Sequence, residues 1–157
     1  MSMSMIVRLL SHSPDPERVA AAAARQCYSK FSAEKAFREL KEEEVARLLR
    51  MIIGNGHLSI LEHASFTFVV EGISRACSHQ LVRHRIASYS QQSQRHVKLE
   101  EIGFVKPESV SLSPEAERRW SEALEVCRGC YADLLRLGVP AEDARYILPQ
   151  AVPTKIV

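Results

Sequence analysis

From Arg83 to Arg95 the chain reads Arg-His-Arg-Ile-Ala-Ser-Tyr-Ser-Gln-Gln-Ser-Gln-Arg, a run of guanidinium, hydroxyl and amide groups with no carboxylate among them. Arginine forks take phosphate oxygens, or the carbonyl edge of a uracil-like base, in two-point fashion, and Ser and Gln complete such a pattern. The absence of acids extends further. From Gly72 to Leu99 there is no Asp or Glu, while Arg75, Arg83, Arg85, Arg95 and Lys98 lie there beside His79, His84 and His96. Those 28 residues carry +5, which leaves 16 cations against 19 acids, or −3, on the other 129. A block of like charge repels itself, so it is either a well-solvated face or a site that expects an anion. The residue types favour a phosphorylated small molecule over nucleic acid. Tyr89 is the one aromatic residue in the block, whereas single-strand binders interleave several stacking rings with their cations. A whole-chain charge of +2 likewise argues against coating nucleic acid by charge alone.

Other candidate patterns give way to plainer readings. Cys127-Arg-Gly-Cys130 has the gap of a zinc knuckle or redox pair, but it falls within a helical pattern and has no second Cys/His pair at suitable spacing. Two thiols near a core face is the preferred reading. His57 and His63 flank Glu62 without the His-Glu-x-x-His spacing, so capping or core hydrogen bonding is preferred there to a metal. Gly54-Asn-Gly56-His-Leu-Ser59 stands one residue from the dinucleotide fingerprint, with Ser59 in place of the third Gly. It follows a helix instead of a strand, so a Rossmann crossover has no support. No phosphate-binding P-loop or Gly-x-Ser-x-Gly motif occurs.

The elements that must position the basic block follow from hydrophobic period and punctuation. Residues 5–10 predict an opening strand, and 15–28 a helix with Asp15 as N-cap and Pro16 in its first turn. Phe37, Leu40, Val45, Leu48, Leu49 and Ile52 predict one helix over about 33–53, ended by Gly54 and Gly56. Residues 65–71 alternate as a strand. Ser74 then caps a helix running to about Arg85, with Arg75, His79 and Arg83 on one face at four-residue intervals and Gln80 and His84 beside them. Arg83, His84 and Arg85 would sit at its C-terminus, where the macrodipole favours cations. Cys77 falls on an apolar face of that helix and reads as core. Residues 88–96 are polar throughout and read as surface. A long helix covers about 114–137, Pro140 opens a short one, and residues 151–157 look like the start of a strand that is cut off.

The composition suits this plan. With 157 residues, 46% apolar and 25% charged, the expectation is a single globular domain over 1–157. No charged-then-apolar leader is visible and no apolar run approaches the roughly 18 residues of a membrane span. The expectation is a soluble, cytoplasmic protein with reduced thiols and neither membrane nor nucleic-acid partner.

Arg83-His84-Arg85, seven residues, then Ser93-Gln94-Arg95 resembles the signature of the flavin-dependent thymidylate synthases, the ThyX family. The context is similar too: Gly56-His57-x-Ser59-x-x-Glu62-His63 upstream, Ser88-Tyr89-Ser90 within, and Gly138-Val139-Pro140, Ala144-Arg145 and Leu148-Pro149 downstream. The likeness runs the whole length of the chain. It implies an α+β (mixed α/β) fold, with helices packed on a small, mostly antiparallel sheet, in a homotetramer with sites between subunits. It implies methylation of dUMP at C5, with methylenetetrahydrofolate supplying carbon, FAD hydride, and NADPH the electrons that reduce the flavin. By matched position, Gln80, Arg83, Gln91, Gln92, Ser93, Gln94, Arg95 and Arg145 are implied dUMP ligands, and Ser59, Arg83, His84, Arg85 and Gln91 implied FAD ligands. Gln91 departs from members that carry Glu there, which removes one negative charge. Other thymidylate synthases attack C6 with a cysteine, and the polar segment here has none. Members of the family continue past this C-terminus with a strand, an Asn-Ala-Arg-Ser segment and a helix bearing an Arg that activates dUMP. The resemblance therefore implies a C-terminally truncated enzyme, with no catalytic residue named in this chain and weak or no turnover from these 157 residues alone. A UMP methylase and a non-catalytic nucleotide- or RNA-binding module remain as alternatives.

Overall fold

The computed structural model describes residues 4–99 and 103–157. The chain divides into two compact units, Leu9–Phe68 on one side and Met1–Arg8 with Val69–Val157 on the other. Strand β1 (Ile6–His12) and strand β2 (Phe66–Ser74) contribute residues to both, and with β3 (Pro153–Ile156) they form a sheet of order β1-β2-β3. The architecture is the α+β class implied by the sequence, helices with a small antiparallel sheet.

In the first unit, helix α1 (Pro16–Tyr28) buries Ala20, Ala21, Ala22 and Ala24, small side chains that let α2 (Ala33–Glu39) and α3 (Glu42–Gly54) approach closely. Ala24 joins Ile52 and Ile60 in a core flanked by Leu48, Leu49 and Leu61. One expectation is qualified here and one corrected. Asp15 is the N-cap as expected, its carbonyl accepting from the Val19 N–H at 3.0 Å, but it takes a left-handed conformation, φ 45°, and its side chain makes no cap bond. The single helix expected over 33–53 is broken at Leu40, which is extended. Arg18 of α1 causes the break: its guanidinium donates to the carbonyls of Phe37 (3.2 Å) and Leu40, satisfying the end of α2. The Lys41 N–H then donates to the Glu44 carboxylate at 3.1 Å and starts α3. A 3-10 turn, Leu58–His63, follows.

In the second unit, β2 and β3 are antiparallel, with Val70 opposite Ile156 and Glu71 opposite Lys155 before the register shifts and Ile73 meets Thr154. Gly72 absorbs that bulge at φ +72°, and a Cβ there would lie 2.6 Å from the Ser4 carbonyl oxygen. Helix α4 (Arg75–Leu81) follows at once. Helix α5 (Pro114–Arg136) starts where the Ser113 hydroxyl accepts from the Ala116 N–H at 3.3 Å. Tyr131 of α5 forms the core with Ala144 and Val152, against Phe104, Leu134, Val139 and Leu148, and its hydroxyl accepts from the Leu99 N–H at 3.4 Å. Ala144 ends the short helix α6 (Ala141–Ala144) and is fully buried, which anchors Arg145, the first residue of a 3-10 turn ending at Ile147. No helix among the described residues is long and apolar enough to cross a membrane.

Candidate functional site

Strand β3 holds the polar segment by backbone pairing. On one edge it meets β2; on the other, the Ser90 N–H donates to the Val157 carbonyl at 2.8 Å and the Val157 N–H donates back at 2.9 Å. The Gln92 N–H adds a bond to the Lys155 carbonyl at 2.9 Å, which brings Gln91 opposite Ile156. The Gln91 side chain turns to internal partners. Its amide donates to the Ser78 hydroxyl (2.7 Å) and the Thr154 hydroxyl (3.1 Å), both on buried residues at 0% and 3% exposure. Ser78 in turn donates to the Arg75 carbonyl at 2.9 Å. This network clasps α4, the polar segment and β3 together, and it corrects the reading of 88–96 as purely surface.

Helix α4 ends earlier than its sequence pattern suggests. It stops at Leu81, so Arg83, His84 and Arg85 lie on an exposed turn beyond it and Arg83 does not share a helix face with Arg75 and His79. The cause is Tyr89, whose hydroxyl is placed to donate to the carbonyls of Leu81 (3.0 Å) and His84 (3.1 Å). An aromatic hydroxyl thus closes the helix and holds the three basic side chains on a tight turn. Cys77 is exposed, not core, because Ser78 is the residue of α4 that points inward.

Two of the implied substrate ligands are drawn together by one residue of α6. The Glu142 carboxylate pairs with Arg95 at 3.3 Å, and the Glu142 carbonyl accepts from Arg145 Nε at 2.9 Å. Beside them lies a cavity of about 320 Å³ whose polar wall is formed by Arg75, His79, Gln94, Arg145 and Gln150, with no acid in its lining. Burial, and secondarily the guanidinium of Arg145, hold Arg75 below the usual arginine range. A larger cleft, about 470 Å³, lies in the other unit. It is lined by Asp15, Glu17 and Glu42 as well as Arg18, the wrong charge for an anion, so size is outweighed by electrostatics.

Of the implied dUMP ligands, the structure thus brings Arg95 and Arg145 together, and puts Gln94 on the same cavity. Gln92 and Ser93 are half-buried on the paired segment, and Gln80 is exposed on the last turn of α4. Gln91 is committed to Ser78 and Thr154. Ser59 lies exposed on the 3-10 turn of the other unit. Two contributors go beyond the sequence assignments. Glu142 carried no sequence signal, but Arg75 did, through its four-residue spacing from His79 within the acid-free block.

The cavity can take a compact anion between two guanidinium groups, and comparison with known proteins says what kind of protein has this layout. A family model described as thymidylate synthase complementing protein matches residues 8–157. This chain belongs to the flavin-dependent thymidylate synthases. Relatives of that name include one from Geobacter sulfurreducens, 51% identical over 98% of this chain and 67% of its own length. Another, from Clostridium tetani, is 41% identical over 99% of this chain and 69% of its own length. The chain therefore spans about two thirds of the length of these family members. Among solved structures it is similar to a UMP/dUMP methylase from Streptomyces cacaoi bound with 5-Br dUMP, with a TM-score of 0.79 and 25% identity over 99% of this chain and 72% of that one.

Proposed function

We propose that this chain carries the nucleotide- and flavin-binding part of an enzyme that methylates dUMP at C5 to give dTMP. In that reaction the C5 proton leaves, methylenetetrahydrofolate supplies the carbon, and NADPH supplies the two electrons that bring it to a methyl group. FAD, when bound, is the hydride carrier. The observation that carries the reading is the acid-free cavity where Gln94 and Arg145 meet, with Arg95 held alongside through Glu142. A nucleotide phosphate monoester carries nearly two negative charges and takes guanidinium and amide donors well. Guanidinium groups such as those of Arg83 and Arg95, once held against the base, can also stabilise charge developing on the uracil carbonyls as C5 becomes nucleophilic.

The residues implied for FAD fit a diphosphate in their chemistry. Arg83, His84 and Arg85 form an exposed turn set by Tyr89, with no acid nearby in sequence. Gln91 fits less directly, since its amide is committed to Ser78 and Thr154, so its part is to fix the segment that presents Gln92 to Arg95. The assembly we infer is a homotetramer with shared sites, and exposed apolar side chains such as Tyr146, at 82% exposure beside Arg145, suit burial by a second copy. Similarity to a UMP/dUMP methylase supports a second reading, in which UMP is also accepted.

A flavin absorption band in the purified chain, together with loss of dUMP binding in Arg95→Ala at unchanged fold, is the expected result. A colourless protein, or unchanged dUMP affinity in that variant, would count against the proposal. Competition of UMP against dUMP decides between the two substrates.

A further inference from the structure

The seven residues from Val82 to Ser88 are exposed throughout, and the three basic side chains implied for FAD stand among them. From Arg85 to Ser88 no backbone hydrogen bond is made among the described residues, and none of the ion pairs there involves Arg83 or Arg85. Fixing such a loop costs conformational entropy at every residue, and like charges set close together oppose it further. One side chain ties its two ends. The Tyr89 hydroxyl reaches back over the loop to the carbonyls of Leu81 (3.0 Å) and His84 (3.1 Å), while the next residue, Ser90, is paired in both directions with Val157. The loop is therefore closed between the end of α4 and the segment held on β3.

Local needs do not account for that hydroxyl. The Leu81 carbonyl already accepts from the His84 N–H at 3.2 Å, and the His84 carbonyl is open to water in the exposed turn, so neither would be left unsatisfied. The Tyr89 side chain is half-buried, and a phenylalanine ring would fill that space as well. What the hydroxyl adds is a fixed place for Arg83, His84 and Arg85 before anything binds them. Donors preorganised in this way lose less freedom when a ligand arrives, which raises affinity without a new contact.

We propose that Tyr89 is a positioning residue for the flavin cofactor, its hydroxyl holding the Arg83–Arg85 turn ready for the diphosphate of FAD. The inference rests on the FAD reading above and carries it from the shape of the turn to the affinity of the site. Tyr89 acts through the three basic side chains, so its effect should follow the charged part of the ligand and depend on those side chains being present.

The test is titration of the purified chain with FAD, riboflavin and ADP, read by flavin fluorescence or calorimetry, as wild type, Tyr89→Phe, Arg85→Gln and the double variant. Tyr89→Phe is expected to weaken FAD by about three- to tenfold, the scale of one neutral hydrogen bond, and to leave riboflavin, which lacks the diphosphate, unchanged. In the double variant the two losses should combine to less than their product, because part of what the hydroxyl holds is already gone. Amide exchange at Ser90, Gln92 and Val157, which pair across β3, should match wild type, which separates a loosened turn from a loosened fold. An FAD affinity within about twofold of wild type would overturn the proposal and leave the FAD reading standing. Equal losses for FAD and riboflavin, losses that multiply in full, or faster exchange across β3 would overturn it in the same way. If wild type binds ADP with an affinity that Tyr89→Phe lowers but does not bind FAD, the positioning role stands and the FAD reading falls. A wild type that binds neither overturns both.

Discussion

Replacing Gln91 by Met keeps the length of the side chain and deletes both amide donors, so it tests the internal clasp without opening a large cavity. The two lost bonds are unequal. Ser78 keeps its donated bond to the Arg75 carbonyl (2.9 Å) and loses only an accepted one, which is worth about 0.5–1.5 kcal/mol. Thr154, at 3% exposure, has no second side-chain partner among the described residues, and an unsatisfied buried hydroxyl costs about 1–3 kcal/mol. The sum is about 1.5–4.5 kcal/mol, a large part of the stability of an ordinary domain. At this chain length it lowers the melting temperature by roughly 3–18 °C. Urea unfolding followed by circular dichroism measures it. Hydrogen exchange should quicken at the Ser90, Gln92 and Val157 amides, which pair across β3. Adding Thr154→Val removes the orphaned hydroxyl, so the pair of changes should cost less than their separate costs added together. A loss below about 0.5 kcal/mol, or strict additivity with Thr154→Val, would refute the clasp.

Tyr89→Phe removes the hydroxyl bonded to the Leu81 and His84 carbonyls; we expect a loss of about 1 kcal/mol and faster amide exchange at Arg83 and His84, read by NMR. Gly72→Ala sets a Cβ 2.6 Å from the Ser4 carbonyl oxygen at φ +72°, so a strain of more than about 1 kcal/mol should appear as a lower melting temperature. Arg75 has a lowered pKa in the folded state. The penalty on its charged form is therefore present at every pH below the folded value, and would be relieved only as pH rises through the arginine range. The stability difference between Arg75→Gln and wild type should accordingly be flat between about pH 5 and 9, and a slope in melting temperature across that window would contradict it.

The chemistry of the site was more legible than its geometry. The acid-free block and the spacing from Arg83 to Arg95 pointed to an anion because charge and donor type are written directly in the sequence. Helix α5 and the final strand were readable too, since both rest on local period and punctuation. The failures share one cause, a tertiary partner overriding a local pattern. Periodicity ran unbroken over 33–53, but Arg18, far back in α1, satisfies the carbonyls of Phe37 and Leu40 and breaks the helix there. The pattern of α4 ran on to Arg85, but Tyr89 reached back to close it at Leu81. Gln91 looked like a surface donor until β3 and Ser78 gave it internal acceptors. Glu142 lies three residues from Arg145 but 47 from Arg95, and it is that second separation that no local reading spans.

The central claim is that the cavity beside Arg145 and Arg95 takes the phosphate of a pyrimidine nucleotide. Equilibrium dialysis of radiolabelled dUMP against deoxyuridine, on wild type and Arg145→Ala, tests it most directly. The account predicts that wild type prefers dUMP by about a hundredfold, the scale of two charge-assisted contacts, and that Arg145→Ala loses at least about tenfold of that preference. Equal affinity of wild type for the two ligands, or a preference untouched by Arg145→Ala, would contradict it.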